Sequence, residues 1–160
     1  MHPFLSWSTN LFDYDNDEDN DIFVANGHLF PQLRDHPSGL RYPQVNLLYR
    51  NDEGRFMRVD PVSGPAFKVK KVSRGGAFAD FDNDGDTDVL VTNLNDTPTL
   101  IRNDGGSINN WLGLRLIGTD SNRDAIGAHV RLFVGDKVQM HEVRRSYGYQ
   151  SANDVRLLFG

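Results

Sequence analysis

The chain has 160 residues, enough for one ordinary domain or two small ones. Ten Phe, five Tyr and two Trp exclude the aromatic-poor composition of a disordered polymer, and the absence of cysteine excludes disulfides and thiol chemistry. The net charge of −5 is concentrated in two places: residues 13–21 hold Asp13, Asp15, Asp17, Glu18, Asp19 and Asp21, and residues 80–88 hold Asp80, Asp82, Asp84, Asp86 and Asp88. Those eleven are half of the 22 acidic residues. The 17 Lys and Arg set against the other eleven would leave +6, so the acidity belongs to two discrete sites rather than to a general acidic tail.

From the N-terminus, MHPFLSWST has neither a basic segment nor an apolar core and does not read as a signal peptide. No run approaches the roughly 18 apolar residues of a membrane-spanning helix. DIFVAN, VNLLYR, RFMRV, DVLVTN and TLIRN are short, β-prone runs separated by Gly, Asn and Asp, and none sustains a helical period. They predict antiparallel strands joined by tight turns. Shifting the sequence by 67 residues lays LSWSTNLFDYDNDEDNDIFVAN over VSRGGAFADFDNDGDTDVLVTN, with acidic positions, flanking runs and the closing Asn26 and Asn93 in register. LLYRNDEG matches TLIRNDGG at a shift of 52, so the first copy carries about 15 extra residues within GHLFPQLRDHPSGLRYPQ, a loop by its prolines and glycines. Beyond residue 106, WLGLRLIG, HVRLFVGD, KVQMHEVRR and VRLLF read as further strands, with VGDK a hairpin turn. The expected organisation is two repeats over residues 1–106, dividing near residue 60, and a small antiparallel β-domain over 107–160.

The acidic stretches predict calcium sites. Calcium takes six to eight oxygen ligands, and a loop of pattern D-x-D-x-D supplies them from alternate residues. Asp80, Asp82 and Asp84 fill positions 1, 3 and 5, Gly85 stands at the bend, Asp86 offers a backbone carbonyl, and Asp88 closes the loop at position 9. Asp13, Asp15, Asp17, the carbonyl of Asp19, and Asp21 repeat the set. An EF-hand is excluded, because position 12 is Val24 or Val91 inside a β-prone run rather than a glutamate between helices. Magnesium fits less well, since it keeps several waters and few carboxylates. Glu18 replaces the glycine at the first bend. Its Cβ would cost about 1–2 kcal/mol in left-handed geometry, weakening the first site by roughly a decade unless its charge compensates.

On DYDNDEDNDIFVANGH (13–28), SRGGAFADFDNDGDTDVLVTN (73–93), WLGLRLIGTDSNRDAIGAHV (111–130) and EVRRSYGYQSANDVRLLFG (142–160), the chain resembles FG-GAP/VCBS repeat proteins that carry a C-terminal ASPIC/UnbV domain, the cartilage acidic protein-like family. The resemblance implies an all-β fold: β-propeller-type repeats with calcium in their loops, then a small antiparallel β-domain. It also implies a secreted or periplasmic location. Two repeats cannot close a propeller, and the last segment stops short of the family's usual end, so the expectation is a fragment or truncated product.

Other clusters point to less. SNRDAIGA (121–128) reads as a turn held by an internal Arg–Asp contact. The basic residues Lys68, Lys70, Lys71 and Arg74 and the segment RRSYGY read as solvated faces balancing the acidic loops, which would repel nucleic acid. The five histidines lack zinc-site spacing, and there is no nucleophile elbow or phosphate loop. The functional expectation is a non-enzymatic, calcium-binding recognition or adhesion scaffold for a protein or carbohydrate ligand, with self-association possible through open strand edges. The alternative is an enzyme or accessory domain, carbohydrate-active for example, with its site at the propeller face or the domain junction.

Overall fold

Alternation of small polar and apolar residues makes Ser6–Phe12 (β1) and Ser73–Ala79 (β5) strands, each stopping where the first aspartate of an acidic loop begins. The computed structural model describes residues 3–160, apart from the side chains of Asp35 and Ser107. The other strands are Asp21–Asn26 (β2), Leu47–Arg50 (β3), Met57–Arg58 (β4), Asp88–Asn93 (β6), Asp96–Ile101 (β7), Leu112–Leu114 (β8), His129–Val134 (β9), Lys137–Glu142 (β10) and Leu157–Phe159 (β11). The fold is all-β, with short 3-10 turns and no α-helix among the described residues. Among the described residues four antiparallel sheets form, in the orders β1-β2-β3-β4, β5-β6-β7, β10-β9 and β11-β8, and none of these closes on itself.

The 67-residue shift carries over into three dimensions. β1 maps onto β5 and β2 onto β6 residue for residue, and both pairs break register at the same place, between Ser6 and Ser8 and between Ser73 and Gly76. The Ser6 hydroxyl bonds the Asn26 side chain at 2.8 Å, and Ser73 bonds Asn93 at 3.0 Å. The extra residues of the first copy contain one 3-10 turn, Pro31–Asp35, and only an isolated bridge from Gln44 to Lys71. Phe23, Ala25 and Leu48 of the first sheet interlock with Phe67, Phe78, Val89 and Val91, forming the larger core. Phe23 meets the rings of Phe67 and Phe78 edge-on, the arrangement favoured by aromatic quadrupoles.

A second core of Val143, Val155, Leu157 and Phe159 lies under β8–β11. The hairpin predicted at VGDK joins β9 to β10 through Gly135 and Asp136. The strand expected over WLGLRLIG shrinks to Leu112–Leu114, because Trp111 turns toward the second acidic loop and Gly118 donates to the Arg123 carbonyl in a turn. β7 starts earlier than expected, running through Pro98, which is permitted because β7 is an edge strand and proline lacks only a donor.

The segment between β10 and β11 seats the second core on the repeats. Asn153 is buried; its carbonyl accepts the Phe78 amide at 2.9 Å, and its amide donates to the carbonyl of Tyr147 at 3.0 Å. Tyr149 packs on Trp7, and the guanidinium of Arg74 lies over the Trp7 ring at 4.4 Å from its centre. Arg74 also donates to the carbonyls of Gly27 and His28, so this basic residue is a structural tie rather than a solvated face.

Candidate metal centres

Each acidic loop leaves a strand with its first aspartate and returns with its last. The chain between must curl within eight residues, and it does so through left-handed conformations at two equivalent positions. The first pair is Asn16 (φ 53°) and Asn83 (φ 62°); the second is Glu18 (φ 77°) and Gly85 (φ 95°). Asparagine tolerates this region, glycine is free in it, and glutamate is strained there.

Side-chain carboxylates hold both curls in the same way. Asp13 accepts the amides of Asp17 at 3.2 Å and Glu18 at 2.9 Å; Asp80 accepts those of Asp84 at 3.1 Å and Gly85 at 3.3 Å. Asp17 accepts the Asp19 amide at 3.0 Å, and Asp84 that of Asp86 at 2.9 Å. Asp21 bridges the amides of Tyr14 and Asn51 at 3.0 and 2.8 Å, as Asp88 bridges Phe81 and Asn103, both at 2.8 Å.

This framework brings together Asp13, Asp15 and Asp21 in one loop and Asp80, Asp82 and Asp88 in the other, with ligand oxygens in each trio within 4.8 Å of one another. These are positions 1, 3 and 9 of the pattern. Asp17 and Asp84 stand outside the trios, occupied in capping the turn. The side chain of Asp19 accepts the Glu53 amide at 2.9 Å, and that of Asp86 the Gly106 amide at 2.9 Å. Both leave the loop interior.

Like charge confined at such distances, with Asp21 and Asp88 nearly inaccessible to solvent, disfavours ionisation. Burial pushes Asp13 up to about 6 and Asp21 up to about 7, against the amides that bond them. It raises Asp15 and Asp88 as well, and, with Asp84 beside it, pushes Asp86 up to about 6. One oxygen of Asp15 is buried without a hydrogen-bond partner. Hard oxygen donors crowded to this degree, with one left orphaned, suit a hard divalent cation.

Several residues that no local sequence pattern marks surround the loops. The Asn16 side chain crosses to the second loop, donating to the Gly85 carbonyl at 3.3 Å and to Asp86 at 3.4 Å. Asn103 donates to the Tyr14 carbonyl at 2.6 Å and Asn109 to that of Asp15 at 3.0 Å. The Trp111 ring lies on Gly85, where a Cβ would come within 2.1 Å of a ring atom. Gly85 is therefore required twice, by its backbone and by its neighbour. Arg156 reaches the Asp80 carbonyl and Asn83, each at 2.6 Å, and Lys137 pairs with Glu18 at 2.5 Å.

A cleft of about 530 Å³ opens between the loops and the second core, lined by Asn10, Phe12, His141, Glu142, Arg144 and Tyr147 among others. In the 121–128 turn, Asp124 pairs with Arg115 at 3.5 Å and Arg145 at 3.4 Å, rather than with Arg123 as the sequence implied. Asn122 closes that turn by bonding both backbone groups of Ile126.

Twin carboxylate loops on equivalent strand pairs define an all-β tandem-repeat protein with acidic strand-to-strand connections. Comparison with known families places it further: the FG-GAP-like repeat family matches residues 13–91, and the ASPIC and UnbV family matches residues 118–160. The chain is an FG-GAP-like repeat protein with an ASPIC/UnbV segment. No curated protein matches it. FG-GAP-like repeats are typically extracellular or secreted, and among the described residues no helix is long and apolar enough to cross a membrane.

Proposed function

We propose that this chain is a calcium-binding extracellular module whose repeats form a rigid scaffold for recognition or adhesion, without catalytic activity of its own. One observation carries the reading: two carboxylate trios, 67 residues apart, are built by the same set of backbone-to-carboxylate bonds. Solvated acidic turns have no reason to share five such bonds. Asp13, Asp15 and Asp21 would hold one ion and Asp80, Asp82 and Asp88 the other, with Asp17, Asp84 and the carbonyls of Asp19 and Asp86 available to complete shells of six to eight oxygens. The ions would neutralise the loops and fix the strand pairs beside them.

A scaffold reading is supported by the cleft. Its carboxylates outside the loops are ion-paired, Glu142 with Arg144 and Asp154 with Arg156, both at 2.5 Å. Arg144 holds Glu142 below the usual carboxylate range, the opposite of what a proton donor needs. The partner on this reading is a protein or carbohydrate. Thermal unfolding with calcium and with EDTA tests the metal: a higher midpoint in calcium is expected, and equal midpoints would reject it. Glycan and matrix-protein arrays probed in calcium test recognition, and blank arrays would count against it.

A further inference from the structure

The cleft between the acidic loops and the second core has its charges matched and its neutral polar groups open. Among its lining residues, Glu142 pairs with Arg144 and Asp154 with Arg156, while Asp13 and Asp80 accept amides of their own loops. Asn10, Tyr147 and His141 differ from these. Asn10 is 2% exposed, and neither its side-chain oxygen nor its side-chain nitrogen has a hydrogen-bond partner. A buried carboxamide left unbonded is costly and uncommon in folded proteins. Gly148 lies against that oxygen, which a Cβ would approach to 2.8 Å, so the turn after Tyr147 rests on Asn10. Among the described residues the Tyr147 hydroxyl and the His141 ring make no hydrogen bond either. Burial raises Tyr147 above its ordinary value and lowers His141 below its own, so both are uncharged at neutral pH. Phe12, Met140 and Leu157 supply apolar wall.

We propose that this cleft binds a short neutral saccharide, with Asn10, Tyr147 and His141 as its polar contacts. It rests on the recognition reading above and narrows the ligand to one chemical class. Carboxamide, phenol hydroxyl and neutral imidazole each donate and accept, and a sugar hydroxyl does both, so it satisfies any of them in either sense. A peptide offers donors and acceptors in fixed places and matches these groups in fewer orientations. The Asn10 carboxamide turns toward a bound hydroxyl at little cost, because terminal amide torsions are broad. The apolar C–H faces of the sugar pack on Phe12, Met140 and the Tyr147 ring. The volume of about 530 Å³ lies within the roughly 300–1,000 Å³ of small-molecule sites, which are mostly apolar with a few polar groups that fix orientation. Sulfated and uronic sugars fit worse, since both arginines of the cleft already hold a carboxylate and an anion would have to break one of those pairs.

Saturation-transfer NMR in excess calcium tests it, with neutral disaccharides of glucose, galactose, mannose, fucose, xylose and N-acetylglucosamine, and with sulfated and uronic disaccharides beside them. The wild type is expected to bind at least one neutral disaccharide and to prefer it to its acidic counterparts. Asn10→Leu should weaken that binding at least about tenfold while keeping or raising the thermal midpoint, because an apolar side chain of similar shape replaces a buried, unbonded polar one. Tyr147→Phe deletes a single oxygen from the wall; it should weaken binding about threefold at an unchanged midpoint, and it carries the test if Asn10→Leu does not fold. No binding of any neutral disaccharide would overturn the proposal. So would a preference for the acidic ones, or full binding by both variants. A protein ligand captured on a matrix array, with no neutral saccharide bound, would remove this site and leave the scaffold reading intact. Monosaccharide released by the wild type would do the reverse: the non-catalytic reading would fall, and the site would stand on the loss of binding in the two variants.

Discussion

Glu18 gives the sharpest test of how the loops are built. It holds φ at 77°, where the second loop places Gly85 at 95°. A side chain in that region costs about 1–2 kcal/mol, whereas glycine loses roughly 0.5–1 kcal/mol more backbone entropy on folding. Glu18→Gly is therefore expected to stabilise the folded protein by roughly 0.5–1 kcal/mol. The amide bond from residue 18 to Asp13, 2.9 Å long, survives the change because it uses the backbone. The side chain does not survive, and with it goes the pair to Lys137, a residue 70% exposed. Glu18→Ala separates the two effects: it loses the pair but keeps the strained Cβ. Urea unfolding in excess calcium should therefore rank Gly above Ala. Where like charge loosens the empty loop, the same strain is charged against ion binding. Calcium titration in an Asp82→Asn background should then give the glycine variant about two- to fivefold tighter binding than the alanine variant. This is less than the decade expected from the sequence, because the entropy of glycine offsets part of the gain. Equal stabilities and equal affinities for Glu18→Gly and Glu18→Ala would show that the backbone at this bend is not strained.

Gly85→Ala should destabilise by at least about 1–2 kcal/mol from its left-handed backbone alone, and expel the Trp111 ring; a red-shifted Trp111 emission in a Trp7→Phe background reads the second effect. Asn153→Ala leaves the Phe78 amide without its acceptor and should cost about 1–3 kcal/mol in urea unfolding, with faster proteolysis between residues 144 and 152. Asn16→Ala removes the link from the first loop to the Gly85 carbonyl and leaves that through Asn103, so ion binding at the second loop should depend less on whether the first is filled, as titration with and without Asp15→Asn would reveal. In EDTA, Asp13 near 6 and Asp21 near 7 lie above the unfolded value of about 3.9. The stability they contribute is full below that value and is lost as pH rises through 6–7. The metal-free midpoint should therefore fall from pH 5 to pH 8, while calcium affinity, in competition with those protons, rises; a midpoint that climbs in EDTA would contradict the assignment.

Much of this was legible in the sequence because it is local and repeated. The shift of 67 residues located β1, β2, β5 and β6, and the D-x-D-x-D spacing located both trios, since strand ends and alternate side chains are set by nearest neighbours. What the sequence concealed depends on long-range packing. It placed Asp17 and Asp84 beside the other ligands but did not show that one oxygen of each also caps its own turn. Nothing in WLGLRLIG marks Trp111 as a cover for a glycine 26 positions earlier, and the basic residue Arg74 gave no sign that it would sit over Trp7. The run TLIRN marked a strand beginning at Thr99, whereas β7 starts at Asp96 and runs through Pro98, which an edge position tolerates.

The positions of those long-range contacts carry a consequence for how the parts act together. Trp111 rests on Gly85, Arg156 holds the Asp80 carbonyl and Asn83, Lys137 pairs with Glu18, and Asn109 bonds the Asp15 carbonyl. Each joins the C-terminal half to an acidic loop, and Asn16 joins the loops to each other. Whatever straightens a loop removes the seat of the segment docked on it. An ion that favours the curled loop must then favour docking by the same free energy, because a ligand shifts an equilibrium by its differential affinity for the two states. The repeats and the ASPIC/UnbV segment keep separate apolar cores, and they meet through the two carboxylate loops as well as through Asn153 on Phe78 and Tyr149 on Trp7. The loops proposed to take cations are therefore part of the joint between the two.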